Sequence, residues 1–170
     1  MKILTKSIFL AIFMIAVSVN AHGQASETAT ATATIITPIA IAKDTDMNFG
    51  NIAVVATGGT VVLAPDGTRT PSGDVTLPAV PGTVTAATFT VSGEDNFTYS
   101  IELPSASITI TNGTDNMTVD TWTSDPTPTG TLDGTTGEQT LSVGATLNVA
   151  GGESSGEYTG GPFTVTVNYN

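Results

Sequence analysis

Apolar and polar residues alternate along much of this chain with a period of two. Because successive side chains of a β-strand point to opposite faces of a sheet, this alternation predicts strands with one buried face. The clearest apolar rows are Ala29, Ala31, Ala33 and Ile35; Phe97, Tyr99, Ile101 and Leu103; Leu141, Val143, Ala145, Leu147 and Val149; and Phe163, Val165, Val167 and Tyr169. At Ala86 and Ala87 the phase slips, which predicts either a β-bulge or two short strands.

Strong turn formers separate these rows, with glycine supplying positive φ and proline presetting the first turn dihedral. Turns are predicted at residues 65–67, 71–74, 81–82, 112–113, 133–134, 151–152 and 160–162, and a longer loop at 124–130. No apolar stripe of helical period follows residue 25. The chain is therefore predicted to be an all-β Greek-key β-sandwich, with a closed barrel as the main alternative.

The N-terminus has a different pattern. Lys2 and Lys6 precede an apolar stretch at residues 8–17, and small residues follow up to Ala21 and Ala25. This pattern is typical of a secretory signal peptide over residues 1–25, with cleavage after Ala21 or Ala25. The stretch is shorter than the roughly 20 residues that a membrane-spanning helix needs, and no later stretch approaches that length. We therefore expect an exported protein, extracellular, at the cell surface or in the periplasm, with residues 26–170 forming one domain.

Charge and composition narrow the function classes. After removal of the signal peptide, Lys43 and Arg69 oppose 15 acidic residues, so the net charge is 2 − 15 = −13. Nucleic acid is a poor partner for such a surface, because phosphate binding needs basic side chains. The chain has no cysteine, and its one histidine, His22, lies beside the cleavage site. Thiol nucleophiles and Ser-His-Asp relays are therefore excluded, and we expect no enzyme and no cofactor.

Three weaker patterns are candidates for ligand chemistry. Asp44, Asp46 and Asn48 resemble the start of a calcium loop, but the glycine and the final glutamate that such a loop needs are misplaced. This favours an ordinary loop entering a strand that directs Met47 and Phe49 inward. Carboxylates at 94–95 or at 153 and 157 are the candidates for glycoside hydrolysis, although solvated turn residues are the commoner explanation. Trp122 is either a sugar-stacking platform or a core residue.

Both ends of the mature chain carry a resemblance. The C-terminal segment runs Gly-Glu-Tyr-Thr-Gly-Gly-Pro at 156–162 and then alternates up to a penultimate Tyr169; the N-terminal segment repeats Thr-Ala at 28–33, followed by Asp-Met-Asn-Phe-Gly-Asn-Ile at 46–52. These segments resemble the secreted bacterial domain-of-unknown-function family 4402. That family is similar to spore coat protein U-like proteins and to chaperone-usher pilins.

The resemblance implies an immunoglobulin-like or pilin-like sandwich and assembly by β-strand addition. In that process an extended segment of one subunit satisfies an open sheet edge and an apolar groove in the next. The strand-exchange candidates are Ala29, Ala31, Ala33 and Ile35 as the inserted row, and Phe163, Val165, Val167 and Tyr169 as the last strand. The alternative is that the N-terminal row pairs within its own chain as the first strand.

Two functions follow as expectations. The first is a non-enzymatic structural or adhesive surface component, of the fimbrial or coat type, whose partners are copies of itself or related surface subunits. The second is a secreted sandwich that binds carbohydrate or calcium through loops at one end, with Trp122 and Tyr158 as the candidate sugar contacts.

Overall fold

The structure, a computed structural model, describes residues 23–170; residues 1–22, with most of the predicted signal peptide and His22, lie outside the described part. By its contacts Ile35–Asn170 forms one compact unit. The strands of the compact unit are β1 (Ala40–Thr45), β2 (Ala53–Leu63), β3 (Arg69–Thr76), β4 (Ala87–Ser92), β5 (Thr98–Glu102), β6 (Ile108–Thr111), β7 (Asn116–Asp125), β8 (Thr129–Thr131), β9 (Glu138–Ala150) and β10 (Thr166–Tyr169).

The strands form two antiparallel sheets, so the prediction of a β-sandwich is confirmed. The larger sheet has the order β1-β4-β9-β2-β3, with β7 also paired to β9 and β6 paired to β7. The smaller sheet has the order β10-β5-β8. No helix that is long and apolar enough to cross a membrane occurs in residues 23–170.

The 13-residue strand β9 organises the larger sheet. It pairs with β4 along residues 138–143, with β2 along 145–150 and with β7 along 142–148. The alternating row predicted from the sequence is buried along its whole length: Leu141, Val143, Ala145, Leu147 and Val149. One face of β9 therefore supplies the floor of the entire core.

The core consists of two clusters. The first, which we call the closed cluster, takes side chains from both sheets: Ala87, Val91, Tyr99, Leu132, Leu141, Val143, Val165 and Val167. The second, which we call the open cluster, takes its buried members only from β2, β3, β7 and β9 of the larger sheet: Val61, Val75, Val119, Ala145, Leu147 and Val149. The smaller sheet thus covers one half of the larger sheet's inner face and contributes no buried member to the other.

Several predicted boundaries need correction. Residues 71–74 are not a turn, because Pro71, Ser72 and Gly73 lie inside β3 and pair with β2. This strand ends the sheet order, and an edge strand tolerates a proline that cannot donate to a ladder on its outer side. The loop predicted at 124–130 is shorter than expected, because β7 continues to Asp125 and β8 begins at Thr129.

At the phase slip of Ala86 and Ala87 the structure has neither a bulge in β4 nor two short strands, but a single strand preceded by an isolated bridge. Strand β4 begins at Ala87, and Thr85 forms an isolated bridge with Asn48. Both alanines are buried. Phe97, predicted at the head of its strand, lies just before β5 and is 39% exposed.

The prediction of a strand over Ala29 to Ile35 is wrong for this chain by itself. Residues 23–39 contain no strand, and Ala29, Ala31 and Ala33 are exposed. Ile35 is 98% exposed. The physical reason is the small side chain of alanine: the apolar area it can bury stabilises a strand by much less than a leucine or valine does.

Candidate binding groove

An open apolar groove lies above the open cluster. Its volume is about 1220 Å³. The floor comes from inward-facing residues of β6, β7 and β9: Ile108, Ile110, Met117, Val119, Leu147 and Val149. One side is the first wall, residues 46–54, which run from the end of β1 into β2. The other side is residues 153–163, which precede β10 and lead into the second wall, residues 160–165. The groove therefore occupies the place at which the smaller sheet fails to cover the larger one.

The first wall, residues 46–54, presents the half-buried side chains of Met47, Phe49, Ile52 and Val54. Arg69 fixes its shape, since Nη1 donates to Phe49 O at 2.6 Å and to Asn51 O at 2.9 Å. The sequence pattern predicted that Met47 and Phe49 point inward, and the structure agrees. It did not single out Arg69, since a contact to backbone carbonyls leaves no signal in the sequence.

Gly50 makes the turn in this wall possible. Its φ is 69°, a conformation that favours glycine, and a side chain there would collide with Pro81 O. Asn48 Oδ1 accepts the Gly50 N–H at 2.8 Å, and the Asn51 N–H donates to Pro81 O at 2.6 Å. The turn is thus held by the Asn48 side chain and by the backbone of Pro81.

The second wall, residues 160–165, has the pattern of a strand without the pairing of one. Side chains alternate inward and outward in phase with β10, with Phe163 half-buried and Val165 buried. Thr159 bridges to Thr111, but no strand ladder within residues 23–170 then includes the chain until Thr166. An extended segment with free backbone groups beside an apolar groove is the edge at which a further strand can pair.

An aromatic group separates the groove from the closed cluster. The rings of Trp122 and Phe163 are 4.6 Å apart between centroids, and those of Phe89 and Phe163 are 6.4 Å apart in an edge-to-face arrangement. The Trp122 Nε1–H donates to Ala106 O at 3.3 Å. Trp122 packs against both clusters, which is the behaviour of a core residue.

Hydrogen bonds hold the polar loop at residues 153–158 along the groove. The Tyr158 hydroxyl donates to Ser154 O at 2.9 Å, and Glu153 Oε2 lies 3.2 Å from it. The Ser154 N–H donates to Asp115 Oδ2 at 2.8 Å, and these hydrogen bonds from Ser154 lower the pKa of the Asp115 carboxyl. Tyr158, a predicted sugar contact, thus has its hydroxyl engaged within the loop.

The structure does not gather the calcium candidates into one site. Asp44 Oδ2 accepts from the Thr90 hydroxyl, Asp46 Oδ1 pairs with Lys43 Nζ at 2.6 Å, and Asn48 Oδ1 accepts from the Gly50 N–H. Within residues 23–170, no group of three or more histidine, cysteine, aspartate or glutamate side chains is placed to hold a metal ion.

The strand-exchange candidates fall into two groups. Phe163, Val165, Val167 and Tyr169 lie on the second wall and its continuation β10, with Phe163 lining the groove. The N-terminal row is exposed and outside any strand. The floor residues Ile108, Ile110 and Met117 were not predicted as a site, although their own period-two alternation marks them as inward-facing.

One family of known proteins matches most of the chain, and it is the family that the two end segments resemble. The family described as Domain of unknown function (DUF4402) matches residues 39–169. The chain belongs to this family. The DUF4402 match includes both walls of the groove and its floor, whereas the threonine–alanine segment lies before it. Neither a curated protein nor a solved structure shows significant similarity to the chain.

Proposed function

We propose that this protein is an exported structural or adhesive component of the cell surface, of the fimbrial or coat type, and that its copies assemble by β-strand addition. The N-terminal segment 28–36 of one copy fills the groove of the next. The observation that carries the proposal is the half of the core that the smaller sheet does not cover. Its floor is a complete sheet face, and its second wall is extended chain that belongs to no strand ladder among the described residues.

The groove favours an extended segment as its occupant. Over the closed cluster, β5 and β10 supply the covering side chains, among them Tyr99 and Val167. The open cluster is the same sheet face continued along β9, so an additional strand beside residues 160–165 would complete the layer in the same way. Such a strand gains backbone hydrogen bonds along its edge and apolar contacts from every second side chain.

The N-terminal segment has the properties that this occupant needs. Its apolar side chains recur at every second position, so one face of an extended segment is wholly apolar. Residues 23–42 contain a single charged side chain, Glu27, so insertion removes almost no charge from water. Burial of Ile35, which is 98% exposed, stabilises by about 1.5–3 kcal/mol, whereas each alanine adds less.

A pair of substitutions tests the proposal. Ala31→Asp places a carboxylate in the apolar row and is expected to lower assembly of the exported chain at least tenfold, because a buried unpaired charge is strongly unfavourable. Thr32→Asp places the same charge one residue later, on the opposite face, and is expected to leave assembly within a factor of two or three. Assembly is measured by shearing cells and imaging the released material with a specific antibody, and by detergent-resistant ladders on gels.

The thermal stability of the monomer serves as the control for folding. Both substitutions lie outside every strand, so neither should change it. A wild-type chain that is strictly monomeric and secreted would overturn the proposal. Equal loss of assembly in the two variants would contradict the assignment of the alanine row to the groove.

A further inference from the structure

Both backbone polar groups of Thr37 are hydrogen-bonded, one to Glu94 in the loop between β4 and β5 and the other to Tyr169 at the end of β10. The Thr37 N–H donates to Glu94 Oε2 at 2.8 Å, and the Tyr169 hydroxyl donates to Thr37 O at 2.8 Å. The same hydroxyl accepts the Glu94 N–H at 2.7 Å, so the three residues form a connected set, which we call the Thr37 clamp. The Phe97 ring supports Tyr169 edge-to-face at 5.5 Å.

The register of the sheet places this clamp far from the groove floor. Ala40 pairs with Ser92, and Ser92 pairs with Glu138, so Ala40 and the start of β9 lie at one level. Strand β1 runs in the same direction as β9, since both are antiparallel to β4. Thr37, which precedes Ala40, therefore lies beyond the end of β9 that is opposite to the groove floor.

The distance follows from the rise of a strand. The floor residues Leu147 and Val149 are nine and eleven residues beyond Glu138, and Thr37 is three residues before Ala40. At about 3.3 Å per residue, the floor lies about 30–36 Å from the level of Ala40 and about 40–46 Å from that of Thr37.

The tail is too short to lay its apolar row along this floor while the clamp is closed. The near end of the groove, at Lys43 and Phe89, is six residues from the level of Thr37, or about 20 Å. Ala29 is eight residues from Thr37, and a fully extended chain of that length spans at most about 26–29 Å. To reach its own groove floor, the chain before Thr37 would also have to turn back along the sheet, and this turn shortens its reach further. If the clamp opened and the chain were free up to Ala40, eleven residues would separate Ala29 from its anchor point. Fully extended, they span about 36–40 Å, which is enough to approach the floor.

We propose that the Thr37 clamp makes strand addition intermolecular: it keeps the apolar row of each chain off the floor of its own groove and leaves that floor for the N-terminal segment of a second copy. The inference rests on the proposed function, because it concerns the same groove and the same segment. It assigns the penultimate aromatic residue a positioning role in assembly.

An inserted linker tests the clamp argument. A ten-residue Gly-Ser linker between Ile36 and Thr37 adds up to about 33–36 Å of reach, so the row should enter its own groove. An intramolecular strand has an effective concentration in the millimolar range, so at micromolar protein the insertion should lower assembly at least tenfold. The matched control carries the same linker between Glu27 and Thr28, where it leaves the reach of the row unchanged, and it should assemble as the wild type does.

A second substitution distinguishes insertion of the row into its own groove from a loss of assembly that the linker causes by disturbing the fold. Ala31→Asp introduced into the closed linker variant should lower its melting temperature, because the row is then buried in its own groove. The same substitution in the native chain should leave the melting temperature of the monomer unchanged.

Three outcomes decide between the proposals. Assembly of the linker variant at the same concentration threshold as the control would overturn the clamp inference and leave the proposed function standing. A linker variant that does not assemble and whose melting temperature is insensitive to Ala31→Asp would also overturn it. Absence of assembly in the wild type and the control would overturn the proposed function and this inference with it.

Discussion

Leu141 and Leu147 lie on the same strand and the same face, six residues apart, yet their surroundings differ. Leu141 belongs to the closed cluster, where side chains of the smaller sheet pack over it. Leu147 belongs to the open cluster and lines the groove. One continuous strand therefore crosses a completed half and an uncompleted half of a single sandwich.

The difference shows what alternation along a strand does and does not determine. A period of two decides which side chains turn inward, and β9 obeys it from Leu141 to Val149. It says nothing about which chain supplies the opposite layer. In the closed half the layer comes from β5 and β10, and in the other half a groove of about 1220 Å³ remains.

The largest expected effect is on the free energy of unfolding, which should fall by different amounts when Leu141 and Leu147 are each replaced by alanine. Leu141→Ala should lower the free energy of unfolding by about 3–5 kcal/mol, because it leaves a cavity enclosed between two sheets. Leu147→Ala should cost about 1.5–3 kcal/mol, because the space it leaves opens onto the groove and the walls can close over it.

Urea denaturation measures both values at a concentration at which the chain is monomeric. Equal losses from the two substitutions would contradict the division into closed and open halves. The same comparison in the assembled protein is sharper. An added strand in the groove should increase the loss of unfolding free energy caused by Leu147→Ala and leave the loss caused by Leu141→Ala unchanged.

The sequence predicted the sandwich and the inward faces, since both depend on local alternation and turn chemistry. It did not predict the groove, because the uncovered half of the core is a result of long-range pairing: β10 pairs only from Thr166 onward, although the alternation begins at Phe163. The assignment of 71–74 to a turn failed for a related reason, since position at the sheet edge decides whether Pro71 can lie in a strand.

The row from Ala29 to Ile35 illustrates the other limit. Its alternation is as regular as that of β9, but its side chains are mostly methyl groups, and residues 23–39 form no strand. Periodicity reports which face would be buried, whereas burial itself depends on the apolar area that is gained. A sequence pattern therefore predicts a potential strand here without predicting its partner.

The second prediction concerns the first wall of the open half. Arg69→Met removes the donor to Phe49 O and Asn51 O, and should lower the free energy of unfolding by about 1–3 kcal/mol, since one part-buried and one exposed carbonyl lose a charged donor. Amide hydrogen exchange at residues 49–52 should accelerate, while exchange within the closed cluster should stay unchanged.

Lys43→Met is the matched control, because it removes the other basic residue of the compact unit. The Lys43 and Asp46 side chains are 55% and 80% exposed, so their ion pair should contribute less than about 1 kcal/mol. If the two substitutions had equal effects, net charge rather than the shape of the wall would explain the loss.

The smallest expected effect is the pH dependence of the Thr37 clamp, which lies at the end of the closed half that is away from the groove floor. The hydrogen bond from the Thr37 N–H lowers the pKa of the Glu94 carboxyl from its ordinary value of 4.5, because the donor favours the ionised acceptor. A depressed pKa in the folded state means that the interaction is fully present above the ordinary value and is lost as the pH falls through the folded one. Thr37 should therefore loosen only in acid, below pH 4.5.

The Thr37 amide proton reports this directly in an NMR titration. Its chemical shift should move with a midpoint below pH 4.5 in the wild type and stay flat in Glu94→Gln. Signals of Leu147 and Val149 should not follow the same titration, because the groove floor begins nine residues along β9 beyond the level of Ala40, and Thr37 lies three residues before Ala40. A midpoint at or above the ordinary value would show that the clamp hydrogen bond does not persist in solution, and the tail would then be free to reach further than the geometry of Thr37 allows.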